Sequence, residues 1–359
     1  MRRIFYRLAI IGLALGACGT AAQPPSTSAP MAAAPTASPP PATVAPTGES
    51  IKLLCTTAED WCAVVMAAAQ EQTGIKIVYD HLSSGEALDR LRQPKASPEY
   101  DVWFGGPADT YAAAKIDGLL AAYASPTAVR IPSQFKDPDN TWTGLYVGAV
   151  AFCSNQAELD KLGVTTPQTW KELENPRLKG HIAMSHPATS GTGYTALWTL
   201  VTLNGGDQDK ALSFFKGLGI TRYTRSGNST AALVGKGEAA VSVGFAHQCT
   251  KARQEGFPDL KVTFPQDGTG YEIGAVALLA GAKNEDPAKR FIDWALSPAA
   301  ETVPTTANWF ILPTNSEAAV PDQSFMSAKL LDYNLEFAGA ARVKLAERYT
   351  AEIAPKPEN

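Results

Sequence analysis

The 359-residue sequence is poor in histidine, with four, and in cysteine, with five. No two cysteines stand in a C-x2-C pair and no H-E-x-x-H stretch is present, which removes the common zinc-site patterns. No G-x-S-x-G elbow presents a nucleophilic serine, and no glycine-rich loop closes on G-K-[ST]. Positive charge is not in excess: 31 Lys+Arg stand against 35 Asp+Glu, a formal net charge of -4. Such a balance lacks the basic face of a nucleic-acid binder, so no nucleic-acid partner is expected. Beyond the N-terminal residues no apolar run is long enough for a transmembrane helix.

What is present begins with an address. "MRRIF" is cationic and "LAIIGLALGA" is apolar but short, the pattern of a secretory signal over residues 1–17. Its end, "LGAC", resembles a bacterial lipobox in which Cys18 becomes the lipidated first residue; the alternative is an ordinary signal peptide with a chance cysteine. Loss of residues 1–17 removes Arg2, Arg3 and Arg7, so the charge goes from -4 to -7. Residues 18–49 are mostly Ala, Pro, Ser and Thr with no periodic apolar face, which predicts an extended tether. The expected location is outside the cytoplasm, lipid-anchored to a bacterial membrane.

Four cysteines then remain, with three possible connectivities. Cys55 and Cys62 flank "TTAEDW" between a strand and a helix and can meet across that loop. Cys153 and Cys249 form the other pair or stay as two buried thiols. Glu59 and Asp60 read as solvated loop charges.

From residue 51 short strands and helices alternate: "IKLLC", "WCAVVMAAAQEQTG", "IKIVYDHL", "GEALDRLRQ", "YDVWFGG", "ADTYAAAKIDGLL". This is α/β alternation and favours a mostly parallel sheet with helices on both faces. "GLYVGAVAFCSN" (144–155) and "IGAVALLAGA" (273–282) are long extended runs suited to crossing between two lobes. "DPAKRFIDWALSPAAETV" has helical spacing with Asp286 as N-cap before Pro287, and "AKLLDYNLEFAGAARVKLAERYTAEI" reads as helical throughout.

Three stretches share one form, Ser-Gly running into a helix: "SSGEAL" (83–88), "SGTGYTAL" (190–197) and "SGNSTAAL" (226–233). Helix N-termini expose unpaired N–H groups and the positive end of the dipole, glycine lets an anion reach the backbone, and hydroxyls add donors. Any one of them is explained by capping alone; three converging would make an anion site without cationic side chains. Ser190, Gly191, Thr192 and Gly193 are the expected cradle, with Ser84, Gly85, Ser226 and Gly227 completing it. Gly191, Gly193 and Ala196 also fit a dinucleotide fingerprint, but no strand ending in an acid follows at ~20 residues. Gly105 in "WFGGP" and His247 in "GFAHQC" end strands, where open α/β sheets hold ligands. His247 is placed to donate to a ligand or titrate near neutral pH. Glu272 in "DGTGYE" is placed to meet ligand amines or hydroxyls. No nucleophile–base pair or metal cluster is legible, so neither an enzyme nor a cofactor or metal site is expected.

In order, "ASPEYDVWFGG", "MSHPATSGTGYTAL", "YTRSGNS", "GKGEAAVSVGFAH", "PQDGTGYEIGAVAL", "GAKNEDPAKRFIDWALSP" and "LLDYNLEF" resemble bacterial extracellular solute-binding proteins, the capture components of ABC importers. The branch resembled is the ferric-iron type, which includes binders of phosphonates and sugar phosphates. The resemblance implies an α/β two-lobe Venus-flytrap fold with discontinuous lobes, 50–148 with 275–318 and 149–274 with 319–359, hinged at the crossing strands. It implies a monomer that holds its ligand between the lobes and delivers it to an ABC permease and its ATPase. Iron-binding members resemble one another in an adjacent tyrosine pair after the strand matching "AAVSVGF"; His247 and Gln248 stand there, and in phosphonate-type members the position of Gln248 tends to be aspartate. Cys153 and Cys249 depart from the family pattern together, as a disulfide pair would. The expected solute is a small anion, phosphorylated or phosphonate. The alternatives are ferric iron held with a bridging anion, a secreted phosphate-handling α/β enzyme, and a sensor module of the same fold.

Overall fold

The structure, a computed structural model, describes residues 47–93, 98–321, 325 and 327–358. The signal sequence, Cys18 and most of the tether lie outside the described residues. Among the described residues no helix is long and apolar enough to cross a membrane.

Strands β1 (Ser50–Cys55), β2 (Lys76–His81) and β3 (Val102–Pro107) are linked by α1 (Glu59–Thr73) and α2 (Ser84–Arg92), and α3 (Ala108–Ile116) and β4 (Leu120–Ala121) follow. β5 (Thr143–Ser154) then leads to α4 (Gln156–Leu162), β6 (Ile182–Ser185), α5 (Gly191–Leu203), α6 (Gln208–Leu218), β7 (Arg222–Thr224), α7 (Thr230–Gly235), β8 (Val241–Phe245), α8 (Ala246–Gln254) and β9 (Lys261–Thr263). β10 (Tyr271–Leu279) returns the chain to α9 (Glu285–Ala295), α10 (Pro298–Thr302), β11 (Leu312–Pro313) and α11 (Leu335–Glu352).

The strand order is β2-β1-β3-β10-β5-β8-β6-β7. β1 is parallel to β2 and β3, and β6 is parallel to β7 and β8, as the alternation predicts. β10 and β5 run antiparallel to their neighbours, because one segment leaves a lobe and the other returns. The first half of β5 pairs with β10 and the second half with β8, so this one buried strand belongs to both lobes.

Each lobe has its own core. One gathers Leu53, Val102, Phe104, Leu145, Phe291 and Trp309. The other gathers Phe152, Trp170, Leu197, Phe215 and Val243, with Leu345 and Tyr349 of α11. α11 also lies on α3: a Cβ at Gly339 would sit 2.7 Å from that of Ala112, and Arg342 pairs with buried Asp109 at 2.5 Å.

Two expected helices are corrected. The N-cap of α9 is Asn284, and Asp286 and Pro287 fall inside its first turn. The helix ends at Ala295, and α10 restarts where Ser297 Oγ accepts from Ala300 N at 3.2 Å with Pro298 as its first residue. Residues 328–334 are not helical: Leu331 N donates to Thr269 O at 2.9 Å, and α11 begins only after Asn334 caps it.

Both disulfides form, Cys55–Cys62 and Cys153–Cys249. The second ties the crossing strand to α8 across a sequence separation of 96. Closing a loop of that length is worth about 4.7 kcal/mol in the chain-entropy treatment, and measured losses run to about 2–5 kcal/mol. Cys153→Ala/Cys249→Ala is expected to lose that much in urea denaturation, and added reductant should then change its midpoint less than that of the parent.

Candidate functional site

A cavity of about 30 Å³ lies between the lobes. It has room for little more than a water molecule, so a larger ligand requires the lobes to part and close again around it. Helices begin at its wall from both sides. From the first lobe, Thr56, Thr57 and Ala58 lead into α1, Ser84 opens α2, and Gly106 and Pro107 precede α3. From the second, Ser190, Gly191 and Thr192 open α5, Ser226, Gly227 and Asn228 form the turn before α7, and Phe245 precedes α8.

Local chemistry explains these starts. Ser190 Oγ accepts from Gly193 N, and Ser226 Oγ from Asn228 N at 3.4 Å. α1 and α3 have no side chain capping them, which leaves first-turn N–H groups for another acceptor. Gly106 has φ 79, a left-handed conformation, and a Cβ there would strike Ser84 Oγ and Thr56 Oγ1.

The rest of the wall is aromatic and uncharged. Trp61 and Tyr146 pack at 4.7 Å, and His247 stacks on Phe245 at 5.5 Å. No lysine or arginine is among the lining residues. Burial pushes the pKa of His247 down to about 3, so it does not titrate near neutral pH as the sequence suggested. Burial, with the charge of Asp109, pushes Glu272 well above the usual carboxylate range. The two stand 3.7 Å apart, too far for a direct hydrogen bond. Two buried nitrogens at this wall, Trp61 Nε1 and His247 Nδ1, have no hydrogen-bond partner in the described protein. The indole N–H calls for an acceptor from outside, and the ring nitrogen for a partner of its own.

Of the residues expected from sequence, Ser84, Ser190, Gly191, Thr192, Ser226, Gly227, His247 and Glu272 line the cavity. Gly85, Gly105 and Gly193 are beside it. Gly193 N is taken by Ser190, and Gly85 N donates across the lobes to Thr189 O at 3.1 Å. Sequence reasoning missed Thr56, Thr57, Trp61, Tyr146 and Asn228. The signal for the first three was "TTAEDW" between its two cysteines, a strand end turning into a helix. Asp60, read as a solvated charge, bridges to Lys251 of α8 at 2.6 Å. Arg225 pairs with Glu86 of α2, and Ser83 Oγ donates to Thr189 O at 2.6 Å. The structure is thus closed, with bonds from both lobes meeting around the cavity.

Among the described residues no group of three His, Cys, Asp or Glu is placed to hold a metal ion. Residues 97–338 match the family of bacterial extracellular solute-binding proteins. The chain is similar to the periplasmic binding protein AfuA from Actinobacillus pleuropneumoniae, solved with exogenous fructose-6-phosphate bound: 34% identity, TM-score 0.81, covering 86% of this chain and 99% of that one. It is 27% identical over 275 residues to a candidate 2-aminoethylphosphonate-binding periplasmic protein of Salmonella typhimurium, 75% of this chain and 78% of the relative. Iron-bound HitA from Pseudomonas aeruginosa shares the fold, with TM-score 0.73 at 16% identity, over 84% of this chain and 99% of HitA.

Proposed function

We propose, from the premise that this chain belongs to the bacterial extracellular solute-binding proteins, that it captures a phosphorylated small molecule between its lobes for an ABC importer. The reading keeps the two lobes at 50–148 with 275–318 and 149–274 with 319–359. A lipid on Cys18 holds this monomer at the membrane, and the permease and its ATPase receive the solute.

One observation carries the ligand class: the N-terminal ends of α1, α2, α5 and α8 converge on a cavity whose lining holds no cationic side chain. Unpaired N–H groups, dipoles and hydroxyls together suit a phosphate group. The far wall favours hydroxyls over an amine. Trp61 Nε1 can only donate, and the burial that raises the Glu272 carboxyl opposes the anion an ammonium group would need. A sugar phosphate is therefore favoured over an aminoalkylphosphonate. Ferric iron would seek phenolate and carboxylate oxygens, and burial holds Tyr146 well above its usual range and thus protonated.

A thermal-shift panel on the full chain tests this, with fructose 6-phosphate, 2-aminoethylphosphonate, inorganic phosphate and ferric citrate. A ligand at ~100 times its Kd adds about 2.7 kcal/mol, a rise of several degrees for a protein of this size. Fructose 6-phosphate should give that rise, and Thr192→Glu, which sets a carboxylate in the cradle, should abolish it. A rise with ferric citrate alone would overturn the reading.

A further inference from the structure

Gln248 is buried where the starts of α5 and α8 meet the 226–229 turn, and chemistry fixes the orientation of its amide. Oε1 accepts from Phe245 N at 2.9 Å, and a backbone N–H can only donate. Nε2 therefore faces the other way, donating to Thr192 Oγ1 at 3.2 Å and Asn228 Oδ1 at 3.3 Å. Two glycines make room for it. A Cβ on Gly244 would come within 2.7 Å of Oε1, and one on Gly227 within 2.8 Å of Nε2.

These bonds decide what the wall offers a ligand. A hydroxyl has one proton. Because Thr192 Oγ1 accepts from Gln248, that proton is left to point toward the cavity that Thr192 lines. The Asn228 oxygen also accepts, which leaves its NH2 to donate. Ser226 Oγ accepts from Asn228 N, so its proton is free in the same sense.

We propose that Gln248 sets the donor polarity of this wall, and that the wall thereby selects the dianionic, acceptor-only form of a terminal phosphate over its protonated monoanion. The inference rests on the phosphate reading above. A dianion takes a donor at every oxygen, whereas the P–O–H of a monoanion would set its proton against the donors of Thr192, Ser226 and Asn228. Glutamate at this position would accept from Thr192 and Asn228, turning both protons away from the ligand, and would add like charge. Gln248 is a positioning residue: it acts through Thr192 and Asn228.

Other titratable groups face the same space: His247 beside it on α8, Tyr146 on β5 and Glu272 on β10, with the Glu86–Arg225 and Asp60–Lys251 pairs at the rim. A matched pair of probes separates their titration from that of the ligand. Glucose 6-phosphate gains its second charge near pH 6, while glucose 6-sulfate stays a monoanion with acceptor oxygens only.

Calorimetric titration of the full chain at pH 5.0 and 7.5 is the test. For the parent, the phosphate should bind about tenfold more tightly at pH 7.5, following the dianion fraction, with the sulfate unchanged. Gln248→Glu should bind the phosphate about 100-fold more weakly at pH 7.5 and reverse its pH trend. Gln248→Met, similar in shape, should lose most of the tenfold trend and lower the thermal midpoint by a few degrees, because Phe245 N loses its acceptor. If the parent binds the phosphate with the same pH response as the sulfate, or Gln248→Glu keeps the parent's trend, this inference falls and the phosphate reading stands. If the parent binds neither ester nor any phosphorylated compound, both fall. Should Gln248→Glu not fold, the parent's phosphate–sulfate comparison still decides.

Discussion

Arg342→Leu is expected to destabilise the protein by about 3–5 kcal/mol in urea denaturation, the usual effect of stranding one partner of a buried ion pair. Arg342 of α11 and Asp109 of α3 are 3% and 1% exposed, and the guanidinium also lies 4.4 Å over the ring of Tyr194. Without it, the carboxyl group keeps only hydroxyl partners: Tyr333 at 3.1 Å, Thr110 at 3.1 Å and Thr195 at 3.4 Å. Burial raises the Asp109 pKa and Arg342 opposes that rise, so the substitution pushes it further up. The sign follows. A carboxyl group with a raised folded pKa binds more protons folded than unfolded, so its contribution to stability is largest in acid. It declines as pH climbs from the unfolded pKa to the folded one. The loss in Arg342→Leu should therefore be smaller at pH 5 than at pH 7.5. Asp109→Asn/Arg342→Leu should recover much of it, since removing both charges removes the stranded one. A loss below about 1 kcal/mol that is equal at both pH values would show that α11 is not held by this pair.

Much of the architecture was legible because its causes are local. Strand and helix alternated at readable spacing, and the crossing strands stood out as extended runs of small apolar residues such as "YVGAVAFC". The three Ser-Gly helix starts marked the cavity because capping chemistry and anion chemistry use the same residues. What stayed hidden depends on the other lobe. Nothing around Asp60 announces Lys251, nearly two hundred residues on, and Gly85 reads as a ligand-binding glycine until Thr189 is seen across from it. His247 looked like a group titrating near neutral pH because sequence shows its strand-end position but not the burial that lowers its pKa. The tail looked helical too early because residues 329–331, which pair with Thr269, carry the same apolar spacing as the helix that follows.

Gly85→Ala should cost the protein its ligand while leaving its fold intact. Gly85 lies in the first turn of α2, where a Cβ would sit 2.5 Å from Ala188 O and 2.9 Å from Thr189 O, both backbone atoms of the facing lobe. Neither carbonyl can swing aside as a side chain would, so the lobes must stand further apart. Within α2 the same methyl group is harmless: alanine favours a helix over glycine by about 1 kcal/mol. The substitution therefore acts on closure and not on either lobe. It also breaks the geometry of the Gly85 N–Thr189 O bond and draws Ser83 away from the same carbonyl. A ligand sandwiched between helix starts of both lobes binds in proportion to the fraction of molecules able to close. We expect fructose 6-phosphate to bind about 100-fold more weakly by calorimetry, with the ligand-free thermal midpoint unchanged or slightly higher. Small-angle scattering with the sugar phosphate present should give a larger radius of gyration for Gly85→Ala than for the parent. Parent-like affinity together with a parent-like radius would mean that the Gly85–Thr189 contact is not part of capture. Thr192→Glu and Gly85→Ala thus separate two ways of losing the solute, a spoiled cradle in lobes that still meet and an intact cradle in lobes that cannot.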